Sequence, residues 1–245
     1  LRVEGHQPPS NTITIASGAG SFVFGVYGSV NTCLTGPVNA ILASHGERRF
    51  HFIGAYFWGL LAIAFGTYAL NYLCLAAFLP TYLIDELGFA VDWAAILTAL
   101  IVAANAFGNV FGGWLLQRGI PRGVLMGSAA TTMGATAWLL YQPWTGGEAT
   151  VALAFVFSFF GGMLPGTVMS GSPVHAPSPN QIGTTNGLIM QGVNVGQLAG
   201  PPAFAAMVSA GGWSVGPLLV VAMAAIGVAA ATGIFRIEAR MRRAG

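Results

Sequence analysis

Charge is what this sequence lacks. Only 7% of its 245 residues are charged, against roughly 25% in an ordinary soluble domain. That leaves no polar coat for a water-facing surface, so hydropathy, not length, decides the class. Lysine is absent: every basic residue is an arginine. Cysteine is nearly absent. Cys33 and Cys74 are too few and too poorly spaced for a disulfide framework or a zinc site, and Cys74, inside an apolar run, reads as an ordinary packed thiol. No phosphate loop, metal-ligand spacing or cofactor motif occurs, so neither a metal nor a cofactor is expected. No basic stretch precedes a short apolar core and a cleavage site, so no signal peptide is expected.

What is present is apolar surface. The hydrophobic fraction is 55% and the mean hydropathy is +0.70. Residues 1–47 are polar or weakly apolar. From Ser17 to Ser44 no charge occurs, and Gly, Ser, Thr and Asn dominate. That stretch fits a weak span, a re-entrant segment or a disordered leader. His45 to His51 then gives a charged stop. A bundle over residues 48–243 follows, built of six apolar segments near the ~20 residues that cross a bilayer. They fall near Tyr56–Leu79, Trp93–Leu116, Val124–Tyr141, Val151–Ser170, Gly183–Ser209 and Val215–Phe235. Pro80 is expected to end the first. The fold class is an all-α membrane protein with six transmembrane helices.

The few charges set the orientation. Arg48 and Arg49 precede the first span, Arg118 and Arg122 join the second to the third, and Arg236, Arg240, Arg242 and Arg243 follow the sixth. The alternate loops hold Asp85, Glu86, Asp92 and Glu148 and no arginine. By the positive-inside rule both flanks of the bundle are cytoplasmic, in a cell membrane crossed several times. No Asp, Glu, Arg or His is expected inside a span. The net charge of +2 thus serves orientation. A nucleic-acid partner would need a soluble basic face and is not expected. The tail Arg240 to Arg243 can touch anionic headgroups, with a plain topology anchor the simpler role.

Glycine spacing and one turn carry the next signal. Gly108 and Gly112 stack on one helix face, where another backbone can approach closely. Gly192, Gly196 and Gly200 make a similar stripe on the fifth span. After Gly113 the chain runs into Gln117-Arg118-Gly119-Ile120-Pro121-Arg122. With its six spans, this turn resembles one half of a major facilitator superfamily transporter. The signature between the second and third helices of that family reads roughly Gly-x-x-x-Asp-Arg-x-Gly-Arg-Arg/Lys. Gly113, Arg118 and Arg122 match; Gln117 replaces the aspartate and Gly119 comes one position early, as in the degraded second-half copy. The run from Tyr72 to Leu83 and the run Asn186-Gly-Leu to Gly200-Pro201 also look like that half. The resemblance covers about residues 48–243. It implies a C-terminal-like half of a secondary transporter, with a missing N-terminal half or a second copy as partner. The turn then reads as a gate element of Gly113, Arg118 and Arg122, with the arginines on helix C-terminal carbonyls; the plainer role is topogenic charge.

Polar groups inside spans need partners. Gln191, Asn194 and Gln197 share a sector of about 120°, opposite the fifth-span glycines. Tyr68, Asn71 and Tyr72 share a face of the first span at i, i+3, i+4. These six are expected to line a polar substrate cavity. Asn105 and Asn109 are expected to hydrogen-bond between helices. Gly200-Pro201-Pro202 is expected to break the fifth helix, and Gly161 to Gly166 with Pro165 to kink the fourth. His175, in a proline-rich loop, reads as a solvated histidine. Met169-Ser170-Gly171-Ser172 resembles a serine nucleophile turn, but no His and Asp are placed to activate it, so the chain is not read as an enzyme. The expected function is transport of a small solute, an organic anion or a drug, by alternating access. The alternative is a non-transporting helical scaffold or assembly partner. With no titratable group expected in the membrane, ion coupling would depend on the missing half.

Overall fold

The structure is a computed structural model that describes residues 51–171 and 182–244. Six helices follow one another: α1 (His51–Asp85), α2 (Val91–Gln117), α3 (Arg122–Leu140), α4 (Gly147–Met169), α5 (Ile182–Gly211) and α6 (Pro217–Ala244). In a bilayer a chain must satisfy its backbone within the segment, and an open apolar chain can do so only as helix. All but α5 are long and apolar enough to cross a membrane. The exception carries Gln191, Asn194 and Gln197 among many glycines, which lowers its hydropathy. The expected segments at residues 1–47 and 17–44, Arg48 and Arg49, and the loop with Pro173, His175, Pro177 and Pro179 lie outside the described residues.

The helices pack in pairs: α1 on α5, α2 on α4, and α3 on α6, with α3 also on α4 and α1 also on α6. Exchanging the first three helices for the last three turns this set of pairs into itself. The bundle is therefore a pseudo-symmetric pair of three-helix units, with α2 and α5 as the outlying helices. Both outlying pairs use the same device. On α2, a Cβ at Gly108 would strike the backbone of Phe159, and one at Gly112 would lie 2.8 Å from the Met163 Cα. On α5, a Cβ at Gly192 or Gly196 would strike Ala62 or Gly66, and one at Gly200 would lie 3.0 Å from the Leu70 side chain. Backbones thus meet directly, which suits lipid, where helices gain from packing rather than from escaping water.

Two boundaries differ from expectation. Pro80 lies inside α1, which runs on to Asp85. Pro201 and Pro202 lie inside α5, which is one helix to Gly211 and not a broken one. A proline removes one donor from the ladder, and in the membrane the neighbours and small local adjustments absorb that loss. Phe204, fully buried, locks the segment after the two prolines. Its ring lies 5.0 Å from Phe78 and 5.5 Å from Tyr141. Tyr82 and Trp213 extend the cluster, at 4.9 Å and 5.8 Å from Tyr141 and 5.1 Å from each other. This aromatic plug ties α1, α3 and α5 at the acidic end of the bundle. Asp85, Glu86, Asp92 and Glu148 cluster at that end, and Arg118, Arg122, Arg236 and Arg240 at the other.

Candidate functional site

Three polar features stand out in the bundle. The first joins α1, α2 and α4. Tyr68 is buried at 8% exposure, and its hydroxyl faces the Asn105 carboxamide, with oxygens and nitrogen 3.1–3.3 Å apart. Asn105 Nδ2 also donates to the Ser158 carbonyl at 3.1 Å. Asn105 therefore bridges helices, and the Tyr68 hydroxyl is tied up in the bridge. Tyr72 stacks on Tyr68 at 5.7 Å and is half-buried. Asn71 is buried at 2% exposure, and its Oδ1 has no partner among the described residues. An amide so placed carries a desolvation cost of about 1–3 kcal/mol.

The second feature is the outward face of α5. Gln191, Asn194 and Gln197 are all exposed, while Ile189, Val193, Gly196 and Gly200 are buried. The structure does not bring the six expected cavity residues together. Tyr68 and Asn71 are sealed in the bundle, and the three amides lie on its surface. Gln191 borders an apolar groove that none of the other five touches. Asn109 is exposed, and the Cβ absent from Gly166 would strike its side chain.

The third feature is the turn between α2 and α3. Gly119 adopts φ +87°. Gly119 N–H donates to the Leu116 carbonyl at 3.0 Å and Ile120 N–H to the Leu115 carbonyl at 3.3 Å. That is a Schellman cap, which needs its left-handed residue one position after the last helical turn. Pro121 is then the N-cap of α3. The shifted glycine of the turn therefore has a physical reason. Gly113, read above as part of the gate element, makes no close helix contact: a Cβ at Gly113 meets nothing within 4 Å, and its neighbour Gly112 makes the contact. One residue along a helix is a 100° rotation, enough to turn Gly113 away from α4.

The two arginines of the turn have different surroundings. Arg118 is exposed and lies over the Trp114 ring at 4.2 Å. Arg122 is buried at 6% exposure. Its Nε donates to Glu238 Oε1 at 3.2 Å, its Nη1 to the Thr167 carbonyl and to Ser170 Oγ at 3.1 Å. One guanidinium thus fastens the start of α3 to the ends of α4 and α6. The carbonyl it reaches belongs to the last turn of α4, where the helix dipole is negative. The expectation of no acid or arginine inside a span is overturned, because α6 continues past Phe235 to Ala244 and carries Glu238 inward. The signal was one acid among arginines in Arg236-Ile237-Glu238-Ala239-Arg240, which reads as tail until the helix is extended.

A family model described as Major Facilitator Superfamily matches residues 61–244, the greater part of the chain. The chain belongs to the major facilitator superfamily. A comparison with curated proteins returns no match. Members of this superfamily are secondary transporters, not enzymes, and this chain is a multi-pass helical membrane protein in a lipid bilayer. Among the described residues no group of His, Cys, Asp and Glu could hold a metal ion. In this major facilitator bundle the polar chemistry divides into a buried bridge, an exposed amide face and a charged clamp at the arginine-bearing end.

Proposed function

We propose that this bundle is one half of a secondary transporter that carries a small solute by alternating access, rocking against a second six-helix unit. The solute class that fits best is an organic anion or a drug. The observation that carries the reading is the exposed amide sector of α5. Lipid cannot satisfy Gln191, Asn194 and Gln197, and the glycine face of the same helix is already spent on α1. Water and solute between two such units are the economical partners. Gln191 beside the apolar groove is the least suited of the three, so Asn194 and Gln197 carry the assignment, with Tyr72 nearby in kind. The exposed, apolar face of α2, with Phe107 70% and Val110 75% exposed, offers the second surface for the partner unit. The clamp at Arg122 gives the arginine-bearing end a rigid floor against which such motion can work.

An amide facing water can be removed at little structural cost, because water refills the space. An amide in a helix contact costs roughly 0.6–2 kcal/mol when removed. Asn194→Ala is therefore expected to weaken solute binding to the reconstituted carrier while its melting temperature stays within a degree or two. A variant that melts early and binds solute unchanged points to a scaffold and sinks the reading.

The arginine-bearing ends are proposed to be cytoplasmic, on the positive-inside rule. Single cysteines at positions 48, 86, 120 and 148 test this with an impermeant thiol reagent on sealed membranes. Positions 86 and 148 should label from outside, and 48 and 120 only after permeabilisation. Labelling of 86 and 120 from one side overturns the six-helix topology.

A further inference from the structure

The flank of α1 away from Tyr68 carries a second feature. A groove of about 390 Å³ runs between α1, α5 and α6. Gly66, Gly192 and Gly196 form its floor, and Ile63, Val195 and Met223 stand around it. The groove exists because α1 and α5 meet backbone to backbone, so no side chain fills the cleft above the contact. Its Thr67 hydroxyl donates to the Ala64 carbonyl at 3.0 Å, which leaves Gln191 at the rim as the polar lining group. At 100° per residue, Ile63 and Thr67 point roughly 140° away from Tyr68 and Tyr72. The groove therefore opens on the side away from the buried bridge.

The helix that lends Met223 to the groove also carries charge, on a neighbouring stripe. Ala222, Ile226, Ala229, Arg236 and Arg240 are exposed, and their spacing of three, four and seven keeps them within about 80° on the helix. Gly233, on the same stripe, packs against Leu60 of α1, so the stripe runs beside the α1 seam. From Met223 to Arg236 the axial distance is about 20 Å, close to the ~15 Å of one leaflet's hydrocarbon plus the step to its headgroups. Among the described residues neither Arg236 nor Arg240 is paired with a carboxylate. An apolar groove, with two exposed guanidinium groups further along the neighbouring stripe of α6, has the chemistry of a phospholipid site.

We propose that this groove and arginine pair bind one anionic phospholipid in the leaflet that holds the arginine-bearing helix ends. One acyl chain lies over Gly66, Gly192 and Gly196, and the phosphate sits at Arg236 and Arg240. The inference needs only the membrane setting and does not depend on the solute reading.

The test uses the purified chain in phosphatidylcholine vesicles doped with phosphatidylglycerol whose acyl chain carries a photoactivatable diazirine. Cross-linking should concentrate on peptides around residues 62–70 and 191–199, and unlabelled phosphatidylglycerol should compete while added phosphatidylcholine does not. Arg236→Gln with Arg240→Gln should lower groove labelling by about 10-fold or more, as expected when two basic contacts near an anionic surface are lost. Ala199→Phe or Ile63→Trp, each filling the groove from an exposed position, should remove groove labelling while leaving the melting temperature unchanged. Label spread evenly over all six helices overturns the proposal. So does equal competition by phosphatidylcholine, or labelling that survives the double arginine variant or both groove fillings.

Discussion

Gly112→Leu is expected to separate α2 from α4, and Gly113→Leu, one residue on, to do almost nothing. A Cβ at Gly112 would already lie 2.8 Å from both the Met163 Cα and its carbonyl oxygen. Those are backbone atoms, which cannot rotate away as a side chain would. Leucine adds three more carbons to that overlap, and Gly108 one turn earlier allows no sideways shift, because its own Cβ would strike Phe159. From the α4 side, a Cβ at Gly162 would strike the backbone of Asn105. Ordinary overpacking costs about 1–3 kcal/mol. A clash between two backbones belongs at or beyond the upper end, so Gly112→Leu should cost about 3 kcal/mol or more. At roughly 2–4 °C per kcal/mol for a chain of this size, the melting temperature in detergent should fall by about 10 °C. Gly113 faces open space, and leucine there gains helix propensity over glycine. Equal melting temperatures for the two variants would mean that α2 and α4 do not meet along this seam.

The same loss extends beyond packing. Asn105 donates to the Ser158 carbonyl only because the glycines let α2 approach α4. Pushing the helices apart by the width of a leucine breaks that bond and the Tyr68 contact with it. The buried bridge therefore depends on residues that carry no polar atom in their side chains.

How much of this was legible in the sequence depends on what each feature needs. The six helices needed only apolar length between charged loops, and those are one-dimensional properties. The glycine stripes of α2 and α5 needed only spacing, since residues four apart share a face whatever they face. Contact identity was not legible in the same way. Gly113 and Gly112 are adjacent and chemically identical, and only the direction of α4 tells them apart. Tyr68 and Asn71 share a helix face with Tyr72, which suggested a cavity. Tyr68 is instead buried, and its hydroxyl is held by Asn105, on another helix. Pro80 and Pro201 misled because a proline's local effect is strong in water and is absorbed by neighbours in lipid. Glu238 was hidden by the helix end: with the sixth span stopped at Phe235, the acid falls in a polar tail instead of beside Arg122.

That acid sets up the second large effect. Arg122→Met is expected to destabilise the bundle strongly, and Arg122→Lys to recover little of the loss. The guanidinium reaches Glu238 through Nε and reaches the Thr167 carbonyl and Ser170 through Nη1. A lysine ammonium is a compact point charge and lacks the rigid fork with which the guanidinium spans these partners. Breaking a buried pair by removing one member costs about 3–5 kcal/mol. Arg122 and Glu238 are 6% and 11% exposed at the side chain, so water can recover only part of that. The double variant Arg122→Met with Glu238→Leu removes both charges of this pair, and a buried pair replaced by apolar residues is often neutral. It should therefore be more stable than Arg122→Met alone, although the Thr167 carbonyl and Ser170 still lose their donor. Melting temperatures of the two single variants, the double and the parent form a cycle that isolates the pair. A double variant as unstable as the two single losses added together would mean that the pair contributes no coupling. Arg122 would then act through the end of α4 alone.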